Sequence, residues 1–172
     1  MMSIEIPIFI YHGHDDSVFT VAWSPDSTSI ASGSRDKTIH IWNAQTGKVS
    51  CIYQGHASYL LSIAWSPDGK YIASGDTRGV VQVWETKTVR NIVSYHGHTR
   101  FVRSIAWSPD GSYIASGGDF GDSTVQIWEA VSGKSITMYG GHTRWVRAVA
   151  WSYDGQYIAS ASDETVHVWQ PC

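Results

Sequence analysis

Apolar and polar residues alternate with a period of two through most of the chain, in blocks that begin and end at recognisable turn residues. Leu60-Leu61-Ser62-Ile63-Ala64-Trp65 reads as a strand, because successive side chains of a strand face opposite sides of its sheet. Ser66-Pro67-Asp68-Gly69 reads as the turn that follows. Proline at its second position fixes φ, and glycine supplies the left-handed conformation that reverses the chain. Tyr71 to Ser74 predicts a second strand, Val80 to Trp84 a third, and Val89 to Tyr95 a fourth. No segment carries the 3.6-residue period of a helix.

This block of four strands recurs. Gly-His stands at Gly13-His14, Gly55-His56, Gly97-His98 and Gly141-His142, at spacings of 42, 42 and 44 residues. Nine residues after each histidine comes a tryptophan, namely Trp23, Trp65, Trp107 and Trp151, and a second one closes each unit at Trp42, Trp84, Trp128 and Trp169. Eight of the nine tryptophans are therefore in phase, and Trp145 is the exception. Four short strands in a repeat of about 43 residues are the signature of propeller blades.

On these residues the units resemble WD repeats, and the resemblance covers nearly the whole chain. It implies an all-β propeller of four blades, each of four antiparallel strands, as a single domain over residues 1–172. The repeats fall at about 12–48, 54–90, 96–134 and 140–172. The resemblance also implies a hydrogen-bonded tetrad of His, Ser, Asp and Trp in each blade. Carried over, the first is His14, Ser32, Asp36 and Trp42; the third is His98, Ser116, Asp122 and Trp128; the fourth is His142, Ser160, Asp163 and Trp169. The second keeps His56, Ser74 and Trp84 but has Arg78 where the acid is expected, so its network is expected to be incomplete or rebuilt around Asp76. No unit has the literal Trp-Asp pair, and Tyr153 stands in place of the turn proline in the fourth.

The last unit ends after its third strand, and residues 4–11 read as an extra strand before the first Gly-His. Tyr11 closes that strand in phase with Tyr53, Tyr95 and Tyr139, and Pro7 suits an outermost position. The expectation is that this segment completes the last blade, in the same chain or in a partner chain. Small residues recur in the inner strands at Ala22, Ala64, Ala106 and Ala150 and at Ala31, Ala73, Ala115 and Ala159. They favour close blade packing over the wide wedges of a self-closed four-bladed ring. Two chains forming one eight-bladed ring with two-fold symmetry, the commonest oligomeric symmetry, are expected over a four-bladed monomer or a segment of a larger propeller.

Composition narrows the function. Hydrophobic residues make up 42% of the chain and charged residues 16%, which suits a packed core. A formal net charge of −3 gives no general attraction to nucleic acid or to an anionic membrane. No apolar run reaches the ~20 residues of a membrane helix. Residues 1–10 contain Glu5 and Pro7 and lack the basic start of a signal peptide. Cys51 and Cys172 form no metal or redox spacing, so a reduced, cytoplasmic setting is expected.

The eight histidines invite a metal or catalytic reading, above all at His12-x-His14 and His96-x-His98. His14 and His98 are tetrad positions, however, and a buried polar group that recurs with the fold is expected to be hydrogen-bonded within it. His40 and His167 alternate with apolar residues of third strands and read as structural or surface groups. Asp26, Asp68, Asp110 and Asp154 are turn formers in four similar turns, which lack the asymmetry that acid–base catalysis requires. Neither a phosphate loop nor a nucleophile elbow is present. No enzyme activity, metal or cofactor is expected.

Where the units differ, a binding surface can be read. The third and fourth share Thr-Arg-aromatic-Val-Arg after the tetrad histidine, which places Arg100, Phe101, Arg103, Arg144, Trp145 and Arg147 on adjacent blades, with Tyr59 at the matching aromatic position of the second. Arginine, tyrosine and tryptophan are enriched in binding hot spots. The functional expectation is a non-catalytic scaffold for an acidic or phosphorylated peptide or protein. A self-assembling blade set without a dedicated ligand, natural or engineered, is the alternative. Nucleic acid is the third option and is disfavoured by the net charge. The competing reading of the patch is that its aromatic rings pack between blades and its arginines pair with acidic neighbours.

Overall fold

The structure, a computed structural model, describes residues 8–171. Fifteen strands among these residues form four antiparallel sheets in chain order. The first sheet holds β1 (Val18–Trp23), β2 (Ser29–Ser34), β3 (Ile39–Asn43) and β4 (Val49–Tyr53). The second holds β5 (Leu60–Trp65), β6 (Tyr71–Asp76), β7 (Val81–Glu85) and β8 (Asn91–Tyr95). The third holds β9 (Val102–Trp107), β10 (Tyr113–Gly118), β11 (Val125–Glu129) and β12 (Ser135–Tyr139). The fourth holds β13 (Ala148–Trp151), β14 (Ile158–Ala161) and β15 (Val166–Trp169). Strand β8 starts two residues after the predicted Val89, because Val89 turns the chain at φ 60.

Each innermost strand packs beside the next, β1 against β5, β5 against β9 and β9 against β13. The alanines of the two inner strands pair directly (Ala22 with Ala31, Ala64 with Ala73, Ala106 with Ala115, Ala150 with Ala159) and keep each blade thin there. Gly75 and Gly117 extend the effect. A Cβ at either would lie 2.7 Å from the γ-carbon of Val102 or Val146 in the next blade. The apolar cores consequently lie between blades. Ile39, Ile41, Leu60 and Ile63 fill the first gap, Val81, Val83 and Val102 the second, and Val125, Ile127, Val146 and Val149 the third.

Aromatic stacking fastens the outer ends. Tyr53, last in β4, lies flat on Trp84 of the second blade at 4.4 Å, and Tyr95 and Tyr139 repeat the contact on Trp128 and Trp169. Tyr11 stacks on Trp42 at 4.8 Å in the same way. It therefore occupies the place that the end of a preceding fourth strand would fill. Of the predicted strand 4–11, only residues 8–11 are among the described residues. Residues 4–7 lie outside the described residues, and residues 8–11 pair with no strand, because the open edge of β15 belongs to the far end of the arc.

The four blades form an open arc among the described residues: no strand of the first blade packs beside a strand of the fourth as neighbouring blades do. Val21 is 67% exposed while its counterparts Ile63 and Val149 are 8% exposed. At the other end, Val166 and Val168 are 68% exposed, whereas Val81, Val83 and Val125 at equivalent places are fully buried.

Candidate functional site

Three blades carry a complete tetrad. His14 pairs through Nδ1 with Asp36 (2.8 Å) and through Nε2 with Ser32 Oγ (2.8 Å), which also accepts the indole N–H of Trp42 (3.2 Å). His98, Asp122, Ser116 and Trp128 repeat this arrangement. In the second blade Asp76 takes the acid's place, 3.0 Å from His56 Nδ1, and Arg78 contributes only its backbone N–H to the same carboxylate. A neutral imidazole that donates from Nδ1 and accepts at Nε2 satisfies all partners. Burial opposes the charge on Asp36, but hydrogen bonds from the Thr38 hydroxyl and amide, His14 and the Asp15 amide outweigh it and hold its carboxyl down to about 2. Asp76 and Asp122 are likewise lowered, against burial, by their histidines and nearby amides or hydroxyls.

The fourth blade departs from the expected tetrad. His142 keeps Ser160 at 2.8 Å, and Trp169 donates to that serine, but His142 Nδ1 is buried with no partner among the described residues. Asp163 pairs instead with Arg147 (2.7 Å) and Arg144 (3.3 Å). The reason is turn length. Three residues, Arg35-Asp36-Lys37, separate Ser34 from Thr38, whereas only Asp163 and Glu164 separate Ser162 from Thr165. The shorter turn carries its aspartate away from the imidazole.

His40 and His167 are not isolated surface groups. Each lies over its tetrad histidine, His14 to His40 at 3.9 Å and His142 to His167 at 4.2 Å. Their Nδ1 atoms sit 2.7 Å from the hydroxyls of Tyr11 and Tyr139. The second and third blades have Gln82 and Gln126 in this place, accepting from Tyr53 and Tyr95. Burial, then the neighbouring histidine, lowers the pKa of His40 and of His142. His14, Asp36 and His40 bring potential ligand atoms within 4.8 Å of one another. Both ring nitrogens of His14 are already engaged and the two rings are stacked, so the donors do not converge as a metal site requires.

The arginine and aromatic residues of the third and fourth blades do come together. The Arg103 guanidinium lies 5.9 Å from the Phe101 ring centre and 4.7 Å from that of Trp145, and Arg147 covers Trp145 at 4.5 Å. The result is an alternating stack, Phe101–Arg103–Trp145–Arg147, with cation–π attraction at each step. Asp119, which the sequence reading missed, binds Arg103 at 2.9 Å, while Arg147 and Arg144 share Asp163. The arginines thus have acidic neighbours, as the competing reading expected, yet the side chains of Arg144 and Arg147 remain more than half exposed. Arg100 is exposed beside Gly121. Tyr59 lies outside this stack and is covered by Arg35 of the first blade at 5.2 Å. Asp26, Asp68, Asp110 and Asp154 each accept a hydroxyl from the serine two residues earlier, as turn formers do.

No helix among the described residues is long and apolar enough to cross a membrane. The family described as "WD domain, G-beta repeat" matches at residues 5–43, 47–85, 89–129 and 133–170, so each matched unit begins with the strand or segment before a Gly-His. Among curated proteins, a segment resembles Protein HIRA of Zea mays, 50% identical over 40 residues, covering 23% of this chain and 4% of that protein. Another match is eukaryotic translation initiation factor 3 subunit I of Phaeosphaeria nodorum, 49% identical over 39 residues, covering 23% and 12%. A third is a probable cytosolic iron-sulfur protein assembly protein CIAO1 homolog of Chlamydomonas reinhardtii, 48% identical over 44 residues, covering 26% and 12%. The chain thus matches only a small part of these curated relatives. Among solved structures, the crystal structure of the computationally designed Ika4 protein is similar at a TM-score of 0.83 and 26% identity, covering 97% of this chain and 99% of that one. With family matches along almost its entire length, an inter-blade core and tetrads in register, the chain belongs to the WD40-repeat family.

Proposed function

We propose that this protein is a non-catalytic protein-binding scaffold of the cytoplasm, in which two copies close one eight-bladed ring. The observation that carries the ring is the exposure of Val21 and Trp23 at one end of the arc and of Val166 and Val168 at the other, at positions that other blades bury wholly or in part. Each end face lacks the surface its counterparts possess, and the missing surfaces are those of the opposite end. Head-to-tail packing of two arcs satisfies both, with residues 4–11 of each copy reaching the open edge of β15 in the other. The similar designed protein of comparable length supports four blades as a sufficient chain unit. Each ring would present the Phe101–Arg103–Trp145–Arg147 stack twice, to acidic or phosphorylated segments able to compete with Asp119 and Asp163. Because those aspartates already neutralise part of the patch, a second reading is a self-assembling blade set without a dedicated ligand.

Absolute mass by light scattering over a concentration series tests the ring. Twice the 19.0 kDa chain mass is expected. A single-chain mass at every concentration would remove the two-copy ring.

A further inference from the structure

The fourth blade contains an incomplete site whose complete form is present three times in the same molecule. His142 is 6% exposed, and its Nδ1 has no hydrogen-bond partner among the described residues. His142 lines a cleft of about 400 Å³ together with Thr143, Arg144, Asp163, Glu164 and Thr165. In the other blades the corresponding nitrogen meets a carboxylate oxygen at 2.8–3.1 Å. The carboxylate of the first blade also receives the amides of Asp15 and Thr38 and the Thr38 hydroxyl. That of the third receives the amides of Thr99 and Thr124 and the Thr124 hydroxyl. The equivalent donors of the fourth blade are the amides of Thr143 and Thr165 and the Thr165 hydroxyl, and none is engaged within the described residues. Arg144 stands at the rim with its side chain 63% exposed.

We propose that this cleft is a carboxylate-binding site, in which an acidic side chain of a protein ligand takes the place that Asp36, Asp76 and Asp122 hold in the other blades. The donors are those that carboxylates normally recruit: an imidazole N–H, two amides, a hydroxyl and a nearby guanidinium. Two carboxylates of this chain line the cleft and are accounted for differently. Asp163 is held by Arg147 and Arg144, and Glu164 lies exposed in the shortened turn. His142 is in direct contact with His167, the Tyr139 ring and Ser160. The acids of the cleft wall, Asp163 and Glu164, make no hydrogen bond to its Nδ1. The carboxylate chemistry stands on the cleft alone, and only the choice of a peptide as its source rests on the scaffold reading.

Nitrogen-detected imidazole spectra of the full chain, followed through a pH titration, test both parts. Sodium acetate is expected to raise the His142 midpoint by about one pH unit, the effect of an adjacent opposite charge, while sodium chloride at equal ionic strength does not. A variant with the Ser34–Thr38 segment grafted in place of Ser162–Thr165 supplies its own aspartate. It is expected to lose the acetate response and to give His142 the spectrum of His14. An unmoved His142, or an acetate response that survives the graft, would overturn the site. A high midpoint without acetate that falls in Glu164→Gln would overturn it too, because the protein would then fill its own cleft. A blocked Asp-rich peptide that binds more tightly than acetate supports the peptide source. An acetate response without that gain keeps the cleft but rejects the peptide as its occupant.

Discussion

The indole N–H of Trp65 crosses from the second blade to the first and donates to the backbone oxygen of Ala22 at 3.2 Å, and Trp107 makes the same bond to Ala64 at 3.1 Å. Trp23 is the corresponding residue of the first blade and is 58% exposed. In the proposed ring its partner is the Ala150 carbonyl of the second copy. Trp107→Ala is expected to destabilise the chain by about 3–5 kcal/mol, the usual range for a buried large aromatic. Trp23→Ala should change the stability of an isolated chain by less than about 1 kcal/mol, as an exposed site does, while sharply weakening self-association. Denaturant titration and light scattering on both variants separate the two effects.

A glycine difference gives an independent test of the same joint. Gly33, Gly75 and Gly117 leave room for Leu60, Val102 and Val146 of the following blade, yet the fourth blade has Ala161 at this position. If Val18 of a second copy seats there as Leu60 does at Gly33, the Ala161 methyl crowds it. Ala161→Gly is therefore expected to tighten self-association, shifting the concentration midpoint downward in sedimentation equilibrium. Glycine in a strand costs about 0.5–1 kcal/mol of chain stability, so the association should tighten although the isolated chain is weakened.

These relationships show where the sequence is legible. The blades were readable because Gly-His, the two tryptophans and the turns recur at nearly constant spacing, and each recurrence serves the same packing in every blade. Asp163 departs from the expected tetrad because the sequence shows an acid near the end of the second strand, whereas its reach depends on the turn length. Counting from Ser162 to Thr165 contains that signal. The stack of Phe101, Arg103, Trp145 and Arg147 follows the repeat register, whereas Arg100 and Arg144 are no part of it, and that register holds no signal for the Asp119–Arg103 pair. That pair depends on how the long turn from Gly118 to Thr124 folds back toward β9. Register alone puts Tyr59 at the matching aromatic position, and the fold adds a blade-to-blade contact with Arg35 that register does not reveal.

The stacked histidines make stability depend on pH. His40 and His142 have folded pKa values below the usual 6.5 because burial and an adjacent imidazole disfavour the charged form. The unfolded chain then binds more protons just below that value, so stability is full above pH 6.5 and falls as acid is added through the lowered pKa values. Replacing His40 and His167 by glutamine copies Gln82 and Gln126 and removes one imidazole from each pair. Thermal midpoints of the double variant should decline less between pH 7 and pH 5 than those of the parent. Below that range the tetrad aspartates take over. Asp36, lowered to about 2, loses its contribution as pH falls from its ordinary value of 3.8.

Freeing the arginines should strengthen an acidic ligand. Asp119→Asn removes the charge that Arg103 now contacts at 2.9 Å and leaves the guanidinium between Phe101 and Trp145. An Asp/Glu-rich peptide followed by fluorescence anisotropy should bind more tightly to this variant. Joint replacement of Arg103 and Arg147 by alanine should weaken it roughly 30-fold, the effect of about 2 kcal/mol at a binding hot spot. Unchanged affinity in both variants would favour the blade set without a dedicated ligand.

Four residues other than glycine, Ser27, Lys37, Val89 and Ser123, lie in the left-handed region, and a comparison of Ser27 with Val89 separates backbone strain from packing. Ser27 has φ 58 where the other three turns of its kind use Gly69, Gly111 and Gly155. It is exposed, so Ser27→Gly relieves the conformation without removing a buried contact. A gain of about 1 kcal/mol is expected, the usual cost of a left-handed backbone in an L-residue. Val89 has φ 60 where the first and third blades have Gly47 and Gly133, and its β-branch makes that conformation harder still. Its side chain, however, is partly buried against the core between the first two blades. Burial of a valine contributes up to about 1.5 kcal/mol or more, so Val89→Gly releases strain and gives up packing together. Its net gain should fall below that of Ser27→Gly, and chemical denaturation of the two variants side by side measures the difference.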